Sequence, residues 1–169
     1  ISSNLEIFIP TIPHLKIKLI HLTKDWNKQP IIETKHNKIE ELFSQTGVAV
    51  VCSGTASLEV AKRKIPQLVI YKMNLFTEIL LWMLVNIKYA NIINIMADNM
   101  IIPEIVNSKL KETSIWNGFK ELFNNYLNNN DKQIIFSKVF LDELILKKSP
   151  AEIASKEIEE LFFPKPFKD

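Results

Sequence analysis

Glycine is scarce in this chain: Gly47, Gly54 and Gly118 are the only three among 169 residues. No G-x-G-x-x-G turn and no Walker-type loop can be assembled from them, so the familiar glycine-rich phosphate cradles are excluded. Arginine is scarcer still, with Arg63 standing alone. The lysines are spread out and the net charge is only +2. A nucleic-acid binder would cluster its basic residues with exposed aromatics, so no nucleic-acid partner is expected. Cys52 is the single cysteine, which rules out an internal disulfide and fits a reducing compartment. It closes an apolar run and is expected to be a packed, inert thiol at the end of a buried strand. His14, His21 and His36 show no metal-ligand spacing with Cys, Asp or Glu, and no metal is expected. No apolar run reaches the roughly twenty residues needed to span a bilayer, and no signal peptide is visible.

What is present centres on one short segment. The apolar run Val48-Ala49-Val50-Val51-Cys52 leads into Ser53-Gly54-Thr55-Ala56-Ser57-Leu58-Glu59-Val60, and helix-like sequence continues to Lys64. That order is strand, tight turn of small residues, helix N-terminus. Exposed N–H groups and the positive end of the helix dipole suit a phosphate there. Glu59 lies about one helical turn beyond Thr55, over the same mouth. A carboxylate so placed can accept hydrogen bonds from two sugar hydroxyls, and diphosphate plus ribose describes a nucleotide. The same residues also suit a purely structural turn, since many such turns hold no ligand.

The first half of the chain alternates. Leu5–Pro10, Gln29–Thr34, Val48–Cys52 and Pro66–Lys72 read as strands, with Pro66 tolerated at a strand's first position. Pro13–Asp25, Lys38–Gln45 and Thr55–Lys64 read as helices between them. Such alternation specifies an α/β fold, a Rossmann-like parallel sheet with helices on both faces. Ligands in that architecture sit outside the carboxyl ends of the strands, where Ser53–Thr55 and Tyr71–Met73 both fall. The second half reads as helical over Phe119–Asn128 and Lys132–Lys147, broken by the Asn-rich stretch Asn124–Asp131. Ser149-Pro150-Ala151-Glu152 is a capping box with Pro at the first helical position, and Phe163–Phe167 is a Pro-rich tail.

Leu75–Val85 is apolar nearly all round. Phe76, Ile79, Leu80, Met83 and Leu84 form one helical stripe, while Leu81, Trp82 and Val85 fall on the other side. The second face must be hidden. Neighbouring helices or a further domain, an oligomer interface, and lipid or acyl chains are the three ways to hide it.

Two later motifs join the first. Pro66–Tyr71 ends in Tyr71-Lys72-Met73, and Asn91-Ile92-Ile93-Asn94-Ile95-Met96-Ala97 is followed by Ile101-Ile102-Pro103-Glu104-Ile105-Val106-Asn107. SGTASLE, a Pro-led strand ending YKM, and N-I-x-A followed by IPE together resemble the C-terminal half of the lipid-A-disaccharide synthases. These are bacterial glycosyltransferases of the two-Rossmann-domain (GT-B) type. The resemblance runs from about Asn4 to about Asn129 and is densest between Val48 and Asn107. It implies a nucleotide-sugar (donor) binding domain over 1–129, with 130–169 supplying C-terminal helices that pack on it or on a missing N-terminal domain. The family usually has Arg where Lys72 stands, Pro at Ile93, Gly-Arg at Asp98-Asn99, and Gln at Asn107. Lys72 keeps a charge but not the planar fork that grips phosphate in two places.

The resemblance implies a hexosyltransferase of lipid A biosynthesis. It would move 2,3-diacylglucosamine from UDP to 2,3-diacylglucosamine 1-phosphate (lipid X), with inversion and release of UDP. Inversion needs a base for the acceptor hydroxyl and a holder for the departing diphosphate, a task met by amides, a helix dipole and polar side chains without a cofactor. On that pattern Ser53, Gly54, Thr55 and Ser57 bind diphosphate, Glu59 ribose, and Tyr71 with Lys72 the uracil or phosphate edge. Glu104 holds the donor sugar's hydroxyls, and Asn94 lies near the reacting sugar as the catalytic candidate. Solvated-helix, turn-forming and dipole-pairing roles are the structural alternatives for Glu59, Asn94 and Glu104. The chain opens on Ile1 and enters a strand directly, which reads as a piece of a longer protein with the general base upstream. The family further implies a homodimer and peripheral attachment at the cytoplasmic face of the inner membrane. The rival readings are another UDP-sugar enzyme, of peptidoglycan glycosyltransferase or epimerase type, and a non-catalytic module that binds a partner or membrane through 75–85.

Overall fold

A computed structural model of the chain describes residues 5–52, 54–72, 88–107, 110–128, 132–136 and 150–162. They fall into two compact units, Ile1–Ala49 and Val50–Asp169. The expected Leu75–Val85 helix, the 137–147 part of the expected Lys132–Lys147 helix, Ser149 and the Pro-rich tail lie outside the described residues.

In the first unit, β1 (Phe8–Pro10) and β2 (Ile31–Glu33) pair in parallel, Phe8 beside Ile31 and Pro10 beside Glu33. Helix α1 (Pro13–Thr23) opens on a proline, whose missing N–H would find no helical partner at that position anyway. It stops because the Gln29 amide donates to the carbonyls of Thr23, Lys24 and Trp26 at 3.0–3.1 Å. Helix α2 (His36–Ser44) has no capping side chain at Lys35. Glu33 instead fixes the approach to the helix: its Oε1 accepts from the amides of Thr34 at 2.8 Å and Lys35 at 2.9 Å, the two residues before it. Those two bonds, Lys35 first, hold the Glu33 carboxyl below its ordinary range. Phe43 packs edge-on against Phe8, ring centres 5.3 Å apart.

In the second unit a three-stranded sheet runs in the order β3 (Ala49–Cys52), β4 (Gln67–Lys72), β5 (Glu104–Asn107). Helix α3 (Thr55–Lys62) joins β3 to β4, and α4 (Ile92–Ala97) precedes β5. Strand β4 is the spine: Gln67, Leu68 and Val69 are fully buried while Tyr71 and Lys72 emerge at the surface. It pairs in parallel with β5, Val69 beside Glu104 and Lys72 beside Asn107. Ala61, Val69, Ile93 and Ile102 form the core, with Val51, Leu58 and Phe136 packed on it. Each large side chain buried there contributes about 1.5–3 kcal/mol. The architecture is the expected α/β one, parallel sheets flanked by helices.

Helix α5 spans Glu112–Leu127, beginning seven residues before the expected Phe119. Thr113, Ser114 and Gly118 hide the helical pattern in sequence, because their intrinsic preference for helix is weak. Packing decides the matter: a Cβ on Gly118 would lie 3.2 Å from Leu68 and 3.3 Å from Ile105, so the missing side chain lets α5 settle on the sheet. Helix α6 (Lys132–Phe136) is pinned to β4 by Gln133, whose amide accepts from the Gln67 N–H at 3.0 Å and donates to the Gln67 carbonyl at 3.1 Å. Helix α7 (Pro150–Phe162) starts on the proline, as the capping-box reading requires.

The expectation of a buried β3 and a packed Cys52 is corrected. Ala49 and Val51 are half-buried, whereas Val50 and Cys52 are exposed. An unbroken apolar run normally marks a strand covered on both faces, but among the described residues β3 stands at an edge of its sheet and alternates with period two. The Val50 side opens into a shallow apolar hollow of about 360 Å³ bounded by Glu112, Ile115, Trp116 and Phe119 of α5.

Candidate functional site

The carboxyl ends of β3, β4 and β5 come out along one edge of the second unit's sheet, and part of the expected set of ligand residues stands there. Gly54 leaves β3 with φ +126° and ψ −154°. That region is open essentially to glycine alone. Of three glycines in the chain, one is kept where no other residue fits.

The turn delivers the start of α3 to this edge. Thr55 and Ala56 are exposed. Among the described residues their amides have no hydrogen-bond partner, whereas the Ser57 N–H already reaches the Gly54 carbonyl at 3.2 Å. No acidic side chain occupies the first turn of α3, so the positive end of its dipole is uncompensated. Glu59 follows one turn on, exposed and, among the described residues, with no ion pair or hydrogen bond to its carboxylate. On the neighbouring strand Tyr71 is 44% exposed and Lys72 is exposed too. Gly54, Thr55, Glu59, Tyr71 and Lys72 are thus the expected residues with groups free to meet a ligand. Ser53 lies outside the described residues.

Three other expected residues face inward. Ser57 is completely buried, and its Oγ accepts from Asn91 Nδ2 at 2.6 Å while its carbonyl accepts from Gln67 Nε2 at 2.9 Å. Asn94 is also completely buried: Oδ1 accepts from the amides of Ile101 and Ile102 at 2.9 Å, and Nδ2 donates to the Ile102 carbonyl at 2.7 Å. It binds the segment between α4 and β5 into a fixed loop. Glu104 is half-buried and places one oxygen on each of two amides, Ala90 at 2.9 Å and Asn91 at 2.7 Å. It therefore sits at the N-terminus of α4, where a carboxylate is favoured by the dipole.

Asn91 and Gln67 did not stand out in the sequence as site residues. Asn91 caps α4 by accepting from the Ile93 N–H at 2.9 Å. Its position just before the Ile92–Ala97 run was the readable signal. Gln67 is buried with its Oε1 unpaired among the described residues, and nothing in a Pro-led apolar strand announces such a residue.

Helix α4 ends in a double bond pattern, Asp98 N–H to Ile95 carbonyl and Asn99 N–H to Asn94 carbonyl, both 3.2 Å. Asp98 there has φ +44°. This is the left-handed terminal position that glycine fills best. Aspartate is among the few other residues that tolerate it. The three histidines are exposed, and among the described residues no group of three or more His, Cys, Asp or Glu side chains could hold a metal ion.

Comparison with known proteins gives a consistent result. A family model described as lipid-A-disaccharide synthetase matches residues 2–158. The lipid-A-disaccharide synthase of Rickettsia prowazekii (strain Madrid E) is 34% identical over 128 residues, covering 75% of this chain and 33% of that protein. That of Rickettsia typhi (strain ATCC VR-144 / Wilmington) is 34% identical over 122 residues, 71% of this chain and 32% of the relative. That of Rickettsia bellii (strain OSU 85-389) is 31% identical over 180 residues, 96% of this chain and 47% of the relative. The chain spans less than half the length of these relatives. With SGTASLE, YKM and N-I-x-A…IPE in order along the matched region, the chain belongs to the lipid-A-disaccharide synthase family.

Proposed function

We propose that this chain is the donor-binding half of a lipid-A-disaccharide synthase, holding UDP-2,3-diacylglucosamine while its sugar passes to lipid X with inversion. The observation that carries the reading is the Gly54 turn. It brings the Thr55 and Ala56 amides, which have no partner among the described residues, and the uncompensated end of α3 to one strand edge, with the exposed Glu59 one helical turn further on. The amides of Thr55 and Ala56 bind the diphosphate, and Lys72 adds a positive charge against the negative charge that grows on UDP as the glycosidic bond breaks. Glu59 accepts hydrogen bonds from the ribose hydroxyls, and Tyr71 lies along the base.

Ser57, Asn94 and Glu104 act on this reading from one layer below, shaping the turn and the α4–β5 loop rather than touching the diphosphate. Asn94 comes nearest to the reacting sugar through the loop that it fixes. The base that takes the acceptor proton belongs to the part of the protein beyond this chain, so the chain alone binds donor without transferring sugar. An acylated donor and acceptor place the whole enzyme at the cytoplasmic face of the inner membrane, and a homodimer is the proposed assembly. Among the described residues no helix is long and apolar enough to cross a membrane.

Calorimetric titration of this chain with UDP and, separately, ADP tests the reading. Saturable UDP binding that ADP does not reproduce, weakened about tenfold or more by Glu59→Ala, is expected; a tenfold loss corresponds to about 1.4 kcal/mol. Equal affinity for the two nucleotides, or indifference to Glu59→Ala, would remove the uridine-nucleotide assignment.

A further inference from the structure

The hydrogen bonds beneath the turn form a continuous path. The Glu104 carboxylate on β5 holds the Ala90 and Asn91 amides, the Asn91 side chain holds the Ser57 hydroxyl, and the Ser57 carbonyl is held by Gln67 of β4. Ser57, Asn91 and Gln67 are each at most 1% exposed. Bonds in such a place are fully desolvated, and an alternative partner is hard to find. The path ties the first turn of α3 to β4, whose end carries Tyr71 and Lys72, and to β5. Register fixes its depth: Glu104 lies beside Val69, below the rim where Tyr71 and Lys72 stand beside Val106 and Asn107.

We infer that Asn91 is a positioning residue for the donor diphosphate, acting through Ser57 on the free amides of Thr55 and Ala56; this rests on the donor-site reading above. Two features single it out. Asn91 is bonded to α3, α4 and β5 together: Nδ2 to Ser57, Oδ1 to the Ile93 N–H, main-chain N–H to Glu104. Capping α4 needs only an acceptor, a task Ser or Asp performs equally well. The amide donor, aimed across 2.6 Å at Ser57, is the part that capping does not explain. An amide pair aimed at an anion loses much of its value when its direction is free to wander, because binding must then order it.

The test uses this chain with Asn91→Ser, Ser57→Ala and the double variant. Asn91→Ser keeps the cap and removes the reach to Ser57. Each single variant should weaken UDP about fivefold to tenfold, and the double variant should bind no worse than either single, since both remove the same link. The amide resonances of Thr55 and Ala56 should shift in both single variants before any ligand is added. Lower unfolding midpoints with parent-like UDP affinity would reduce Asn91 to a structural cap and overturn the inference, as would losses that simply add. If Asn91→Ser does not fold, Ser57→Ala, which deletes one oxygen, decides alone on the same readouts. Failure of the parent chain to bind UDP would be recognised separately, and would remove the donor-site reading together with this inference.

Discussion

Lys64 and Asp98 sit at φ +59° and +44°, the two non-glycine residues with positive φ among those described. Both follow helices closed by the same pair of bonds. At Lys64 these are Lys64 N–H to Ala61 carbonyl at 2.8 Å and Ile65 N–H to Val60 carbonyl at 3.3 Å, and the buried Ile65 and Val60 supply the accompanying apolar contact. A chain so poor in glycine accepts strain at these ends and keeps glycine at Gly54, where strain would be larger. The ordering is testable by urea unfolding. Lys64→Gly should raise stability by about 0.5–1 kcal/mol, since relief of left-handed strain exceeds the added freedom of the unfolded chain. Gly54→Ala should lower it by about 1–3 kcal/mol. The reverse order would mean that the turn after β3 can relax, and the rigid amide pair would lose its basis.

At the scale of elements, helix ends depend on side chains borrowed from elsewhere. The lead into α2 is held by Glu33, the end of α1 is held by Gln29, and α4 is started jointly by Asn91 and Glu104. The Glu33 case has a pH signature. Its folded-state pKa is lowered by the Lys35 and Thr34 amides. Its contribution is therefore complete above the ordinary glutamate range, about 4.3, and is lost as pH falls through the lower folded value. Unfolding midpoints taken down the acid limb should fall less steeply in Glu33→Gln than in the parent. Identical slopes would show that the two bonds do not discriminate between the charged and neutral carboxyl. Element identity was largely legible from sequence, because apolar periodicity and Pro13, Pro66 and Pro150 mark the strands and helices directly. The start of α5 was not legible, since Gly118 earns its place only through contact with Leu68 and Ile105. The exposure of Cys52 was not legible either: composition gives a strand's apolarity but not its place at a sheet edge. The site divided the same way. Gly54, Thr55, Glu59, Tyr71 and Lys72 could be placed at a strand edge from motif order, while the inward turn of Ser57, Asn94 and Glu104 depends on partners far along the chain.

For the molecule as a whole, the second unit presents a rim of exposed groups above a buried layer of hydrogen-bonded ones. Strand β4 links the two levels, passing from fully buried Leu68 and Val69 to exposed Tyr71 and Lys72 within four residues. On the function proposed above, donor binding belongs to the rim and stability to the layer below. The most direct measurement is a map of UDP on the isotope-labelled chain by amide chemical shifts. The largest saturable shifts are expected at Thr55, Ala56, Tyr71 and Lys72, with Glu59→Ala weakening the titration and leaving the same residues perturbed. Shifts centred on the first unit, on α1 or β2, or no saturable shift at the Gly54 turn, would contradict the assignment of the donor site to the carboxyl ends of β3 and β4.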